Sequence, residues 1–137
     1  MFSQKVPALD ELNNYYSYER NRYISPITLN RYHELLDQFK KFRQSNNLLD
    51  VGCGGGDFLT VAKERGWNVF GTEITNEAVT TCRNKGIMMH HGNLADAVFA
   101  KNFFDVITCI EVIEHINAPL TEAQTINSLL RTGGIAY

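Results

Sequence analysis

After Pro26, apolar residues recur at three- and four-residue steps, so that Leu29, Tyr32, Leu35, Leu36, Phe39 and Phe42 fall on one helical face. Lys40, Lys41 and Arg43 stand at the end of that stretch, where cations suit the helix dipole. From Asn47 the pattern changes to short apolar runs separated by helical segments. Residues 48–51 read as a buried strand, 57–65 as a helix and 68–72 as a second strand. Thr75 is placed to N-cap a helix that ends at Lys85 with Gly86 behind it. Residues 87–90 and 104–109 give a third and a fourth strand. Pro119 opens a helix with Leu120, Ala123, Ile126, Leu129 and Leu130 on its buried side. Gly133-Gly134 ends that helix, and residues 135–137 begin a fifth strand.

This alternation predicts an α/β fold: a Rossmann-like doubly wound parallel sheet with helices on both faces, preceded by N-terminal helices. Two regions are expected. Residues 1–45 are polar, tyrosine-rich and helical, and 46–137 form the α/β domain. In sheets of this kind a ligand lies beyond the carboxyl ends of the strands, where strand order reverses. The exit of the first strand is therefore the place to look for chemistry.

Composition narrows the picture. A chain of 137 residues with 44% hydrophobic content can bury one core without staples. The formal net charge of -2 offers no electrostatic case for nucleic acid as the main partner. Cys53, Cys82 and Cys109 are an odd set with irregular spacing, matching neither a disulfide framework nor a paired zinc motif, so reduced thiols are expected. No apolar run is long enough to span a bilayer, and Met1 to Asp10 lack the order of a secretory signal. A cytoplasmic location is the expectation.

The first strand runs into Asp50-Val51-Gly52-Cys53-Gly54-Gly55-Gly56, and the second is followed by Glu73. Glycines let a backbone approach a ligand closely, and the next helix aims free N–H groups at whatever anionic group lies there. An acid at the end of the second strand can accept hydrogen bonds from both hydroxyls of a ribose. Strand, glycine loop, helix, strand and acid together indicate adenosine binding. Asp50 would repel the pyrophosphate of a dinucleotide, whereas a ligand with a cationic amino group and a sulfonium suits it. The third glycine of the dinucleotide pattern would fall on Asp57, and no Lys-Ser or Lys-Thr follows as in an NTPase phosphate loop.

These segments resemble the class I S-adenosylmethionine-dependent methyltransferases. Residues 48–56 resemble the family's first motif, and Val69-Phe70-Gly71-Thr72-Glu73-Ile74 its second. Residues 103–115, ending Glu111-Val112-Ile113-Glu114-His115, resemble the fourth-strand motif of a branch that includes ubiquinone-biosynthesis O-methyltransferases. The resemblance implies S-adenosyl-L-methionine as cofactor and S-adenosyl-L-homocysteine as product. It also implies cofactor contacts at Asp50, Gly52, Cys53, Gly54, Gly56, Glu73, Ile74, Asn93, Leu94, Ile110 and Glu111. Asn93 stands where the family commonly has Asp, and its carbonyl oxygen can still accept from the adenine amino group. Thr132-Gly133-Gly134 replaces the usual Pro-Gly-Gly. The family fold continues to seven strands, so a sheet truncated after about the fifth, part of a longer protein, is expected.

The implied reaction is in-line methyl transfer to a small-molecule acceptor at a hydroxyl oxygen. Positioning supplies much of the acceleration, and His115 is the candidate base for the hydroxyl proton. Glu111, Glu114 and His115 also form a minor candidate metal set. The simpler reading has Glu111 lining the cofactor pocket while Glu114 and His115 organise the following loop, and no metal is assigned. His90 and His91 are adjacent in a strand and chelate poorly. Tyr15, Tyr16, Tyr18, Arg20, Arg22 and Tyr23 suit a lid over the cofactor. Two other readings are a non-catalytic cofactor-binding or partner-docking module and, less favoured, a nicotinamide-dependent oxidoreductase. The sequence leaves the acceptor and the oligomeric state open.

Overall fold

The computed structural model describes residues 24–110, 112 and 116–137. Helix α1 (Pro26–Phe39) starts where Ser25 caps it, its hydroxyl accepting from the Thr28 N–H at 3.1 Å, with Pro26 in the first turn. A short 3-10 turn (Lys40–Phe42) follows. The chain then alternates: β1 (Asn47–Val51), α2 (Asp57–Glu64), β2 (Asn68–Glu73), α3 (Asn76–Asn84), β3 (Met88–His91), β4 (Phe104–Thr108), α4 (Pro119–Leu129) and β5 (Leu130–Ala136). The strands form one parallel sheet in the order β3-β2-β1-β4-β5. The predicted fold class is therefore observed.

Every residue of β1 and of β4 is buried, as the near-continuous apolar runs of central parallel strands require. Side chains alternate between two apolar layers. Leu48 and Val69 join Leu36, Phe39, Phe58 and Trp67 on one side, while Leu49, Val51 and Phe70 join Leu94, Ile126 and Leu129 on the other. Strand order reverses between β1 and β4, which puts the switch point at the end of β1. None of the described helices is long and apolar enough to cross a membrane.

Several boundaries differ from the sequence reading. Glu73 is the last residue of β2 rather than a loop residue beyond it, and β3 runs one residue later than expected, ending at His91. Thr75 occupies the N-cap of α3, but its hydroxyl makes no capping bond. Gly133 and Gly134 do not terminate α4; they lie inside β5. Phe104 pairs with Leu130 and Val106 with Ile135, so residues 131–134 bulge out of the ladder. A Cβ on Gly134 would stand 2.9 Å from the Asp105 carbonyl oxygen, so only glycine fits that bulge. On α4, Ile126 and Leu129 are buried, but Leu120 is 72% exposed and Ala123 is exposed too. Leu29 at the start of α1 is likewise 38% exposed. Periodicity identifies the face a helix turns inward, not how far its partner layer extends, and both helices meet the core through their second halves.

The bulge also serves a buried acid that sequence reading did not single out. Asp105, 0% exposed on its side chain, accepts from the backbone N–H groups of Gln44 (2.7 Å), Ser45 (2.9 Å) and Asn46 (2.8 Å), and pairs with the Arg131 guanidinium. Burial pushes its carboxyl up, but the Gln44 N–H, Arg131, the Asn46 N–H and the Ser45 hydroxyl outweigh it and hold the group below the usual carboxylate range. The cluster anchors the entry to β1 onto the β4–β5 edge. Asp105→Ala is expected to lower stability by about 3–5 kcal/mol, because it takes the carboxylate from the Arg131 guanidinium and leaves three backbone N–H donors without their acceptor. Since the folded carboxyl titrates below its unfolded value, this contribution is present above about pH 4. It is lost as pH falls further through the folded value, and urea titrations at pH 7 and pH 3 measure the difference.

Candidate functional site

The glycine loop leaves β1 at the switch point. Gly52, Gly54 and Gly56 all have positive φ, at 68°, 56° and 80°. Gly56 is the left-handed N-cap of α2. At Gly52 a Cβ would also meet Val112 Cγ2 at 2.7 Å, so neither conformation nor space admits a side chain there. Three bonds stitch the loop to the end of β2. The Gly52 N–H donates to Thr72 Oγ1 (3.2 Å), the Cys53 N–H to the Thr72 carbonyl (3.1 Å) and the Gly54 N–H to Glu73 Oε2 (3.0 Å). From the other side Lys85 Nζ donates to the Gly55 carbonyl at 2.7 Å.

Glu73 is fixed at both oxygens. Oε1 accepts from the Ile74 N–H (2.8 Å) and the Thr75 N–H (3.3 Å), while Oε2 holds Gly54. Oε1 is filled by these two donors, while Oε2 keeps a further lone-pair direction for a ligand hydroxyl, so the carboxylate is preoriented at the end of β2. Ile74 beside it is 66% exposed, an apolar surface that the core does not use.

Asp50 is buried within β1. Its Oδ1 accepts a 2.7 Å bond from the Thr108 hydroxyl of β4. Burial pushes its carboxyl up to about 7, the Thr108 bond works in the opposite sense, and the negative charge of Glu73 adds to the rise. Two acids thus converge on one loop, a field that repels phosphate and favours a cation.

A cavity of about 160 Å³ lies at this point, walled by Asp50, Gly52, Cys53, Gly55, Asp57, Phe58, Ile110 and Tyr32. A larger one, about 340 Å³, lies between α1 and the β5 edge around Phe39, Phe42, Ile135 and Tyr137, away from the loop and its acids. The smaller cavity is the candidate site, because the glycine loop, the Asp50 carboxylate and the strand-order reversal meet there, with Glu73 bonded to the same loop at the end of β2.

The structure therefore brings Asp50, Gly52, Cys53 and Ile110 together around the cavity, with Gly54, Gly56, Glu73 and Ile74 on the adjoining loop and strand end. Asn93 is exposed, opening a short 3-10 turn after β3. The Leu94 side chain is buried in the core, so only its backbone can address a ligand. His90 and His91 do end β3, and His91 Nε2 lies 3.0 Å from the Ile74 carbonyl. Glu111, Glu114 and His115, and the aromatic and arginine cluster at 15–23, lie outside the described residues.

Sequence reading missed Thr72, Thr108 and Tyr32. The two threonines carried a readable signal: each is a polar residue near the carboxyl end of an otherwise apolar buried strand. Tyr32 was assigned to the packing face of α1. It does pack edge-to-face on Phe58 with centroids 5.3 Å apart, but it also forms part of the cavity wall.

Comparisons with known proteins agree with this architecture. A family model described as a methyltransferase domain matches residues 16–137. The ubiquinone biosynthesis O-methyltransferase of Actinobacillus pleuropneumoniae serotype 7 is 33% identical over 101 residues, covering 66% of this chain and 43% of the relative. The enzyme of the same name from Nitrosomonas europaea is 28% identical over 123 residues, 83% of this chain and 50% of the relative. The chain thus spans half or less of the length of these curated relatives. Among solved structures, an S-adenosylmethionine-dependent methyltransferase from Archaeoglobus fulgidus superposes with a TM-score of 0.66 at 21% identity, covering 77% of this chain and 48% of that one. Geranyl diphosphate C-methyltransferase from Streptomyces coelicolor A3(2), solved with Mg2+, geranyl diphosphate and S-adenosyl-L-homocysteine, gives 0.67 at 19% identity, covering 77% and 43%. At such identities the structural likeness speaks for the fold alone.

Proposed function

The chain belongs to the class I S-adenosylmethionine-dependent methyltransferases, and from that membership we propose that its protein transfers a methyl group from S-adenosylmethionine to a hydroxyl oxygen of a small molecule. The observation that carries the cofactor assignment is the pair of acids flanking one glycine loop, Asp50 within β1 and Glu73 at the end of β2. When bound, the cofactor supplies a methyl group on a sulfonium with a neutral leaving group. Asp50 would face its amino group, Glu73 its ribose hydroxyls and Ile74 its adenine, while the loop admits the backbone close to it. Asn93, the Leu94 backbone, Ile110 and Glu111 would complete the contacts. The residues present fit the group: Gly54 and Gly55 leave open space where a side chain would stand, and among the described residues that line the cavity there is no lysine or arginine to neutralise a phosphate.

Residues 46–137 would form the cofactor domain and 1–45 a cap that excludes water, a role supported by Tyr32 of α1 in the cavity wall. The hydroxyl acceptor is inferred from relatives named as O-methyltransferases. His115, from its place in the fourth-strand motif, would take the acceptor's proton, and no metal is assigned to the reaction. The protein would work in the cytoplasm.

Thermal denaturation with S-adenosylmethionine, S-adenosylhomocysteine and NAD tests the assignment. A ligand that binds only the folded chain, at about 100 times its Kd, adds roughly 2.7 kcal/mol. Stabilisation by the first two and not by NAD is the expected result, and stabilisation by NAD alone overturns it. A turnover assay on the full-length protein then separates an enzyme from a binding module.

A further inference from the structure

The irregular cysteine spacing conceals a close pair. Cys53 and Cys82 are 29 positions apart, yet their Sγ atoms lie 3.9 Å from each other, both as free thiols. Cys53 borders the cavity, and its Sγ also touches Met89 Sδ at 3.9 Å. Cys82, fully buried on α3, donates to the Gly54 carbonyl at 3.2 Å. Its sulfur is wedged under the loop, since a Cβ on Gly56 would come within 2.8 Å of it. The bond from Cys53 holds the Cys82 thiol below its ordinary value, burial opposes this, and the charge of Lys85 assists it. The same contact and burial push Cys53 up.

We propose that Cys53 and Cys82 are an oxidisable thiol pair that closes to an intramolecular disulfide with peroxide as oxidant, and that the bond pulls the glycine loop out of its cofactor-binding shape. In the first step Cys53 Sγ, open to the cavity, attacks one peroxide oxygen as its proton is drawn off along the hydrogen bond to Cys82. An S–O bond forms, the O–O bond breaks, and the departing hydroxide takes the thiol proton to become water. In the second step Cys82 Sγ displaces the sulfenic oxygen. The S–S bond forms, the S–O bond breaks, and the hydroxide leaves with the Cys82 proton as a second water. Two thiols are oxidised and one peroxide is reduced to two waters. The Sγ–Sγ separation must then shrink from 3.9 Å to about 2.05 Å. The Gly54 carbonyl loses its S–H donor, and Cys53, tied through its N–H to Thr72, is drawn toward α3. The disulfide itself follows from the thiol geometry, whereas its effect on binding rests on the cofactor reading.

The test treats the whole chain with hydrogen peroxide, alkylates it with iodoacetamide under denaturing conditions and maps its peptides without reductant. The expected result is a Cys53–Cys82 cross-link, reversed by dithiothreitol, with Cys109 alkylated and a Cys109→Ser variant behaving identically. In Cys82→Ala, Cys53 should run on to the sulfinic acid. If that variant does not fold, Cys53→Ser should leave Cys82 alkylatable after the same treatment. Over-oxidised Cys53 beside a free Cys82 in the unaltered chain, or disulfides between chains only, overturns the proposal. Calorimetry with S-adenosylmethionine supplies the second readout, with affinity expected to fall at least about tenfold in the oxidised chain and to return on reduction. Equal affinity in both forms overturns the loop effect while the bond stands. A reduced chain that binds no S-adenosylmethionine overturns the cofactor reading and leaves the disulfide result intact.

Discussion

Glu73→Ala is expected to weaken S-adenosylmethionine binding about a hundredfold while leaving the chain folded. In the proposed complex the carboxylate accepts from ribose hydroxyls, and a hydrogen bond to a charged acceptor contributes about 1.5–3 kcal/mol. Losing roughly 3 kcal/mol corresponds to about a hundredfold in Kd. A second effect acts in the same direction. Glu73 Oε2 holds the Gly54 N–H, so alanine also frees the loop that the cofactor must find in place. Glu73 is only half-buried and ends its strand, so the fold does not depend on it. Glu73→Gln separates the two effects. Its amide oxygen can still serve the Ile74 N–H, but its NH2 group confronts the Gly54 N–H, so it should bind little better than alanine. Isothermal calorimetry reads both variants, and an alanine variant within threefold of the unaltered chain would remove Glu73 from the cofactor site.

The site was legible in the sequence where its chemistry is local to the chain. Asp50 through Gly56 and Glu73 announce themselves because glycines at positive φ and an acid at a strand end are unusual in short segments. Thr108 is harder to read, since its partner Asp50 lies 58 positions away and only the parallel pairing of β1 with β4 brings them together. The Cys53–Cys82 contact is hidden for the same reason. Fold class followed from alternating periodicity, yet the place of Gly133-Gly134 did not. A glycine pair after a helical run signals a helix stop, and only the close approach of the Asp105 carbonyl shows why glycine is needed inside a strand. The exposed Leu120 and Ala123 mark a similar boundary, because the turning of a helix is periodic but the extent of its neighbour is not.

Asp50 carries the strongest pH dependence expected of this protein. Its folded carboxyl titrates near 7, about three units above the ordinary value of 3.8. The folded chain therefore binds this proton more tightly than the unfolded chain, and stability must fall as pH rises from about 4 to 7. Above that interval the cost is constant, on the order of 4 kcal/mol at 1.36 kcal/mol per unit. Asp50→Asn keeps an acceptor for Thr108 and removes the charge, so it should match the unaltered chain near pH 4 and exceed its stability at pH 8. Binding should move the other way. A cationic amino group needs Asp50 ionised, and the ionised fraction rises from about 1% at pH 5 to about half at pH 7, so affinity should tighten by about fifty-fold across that range. The cofactor's own amino group stays largely protonated there. Asn at position 50 should bind weakly with a flat profile, and this isolates the contribution of Asp50 from that of any other titrating group. An affinity that does not change with pH, or an equal slope in the Asn variant, would mean that Asp50 shapes β1 without meeting the cofactor. A steep slope lost in the variant, together with higher stability at pH 8, would mean that the protein tolerates a costly buried charge at the one place where a bound cation offsets it.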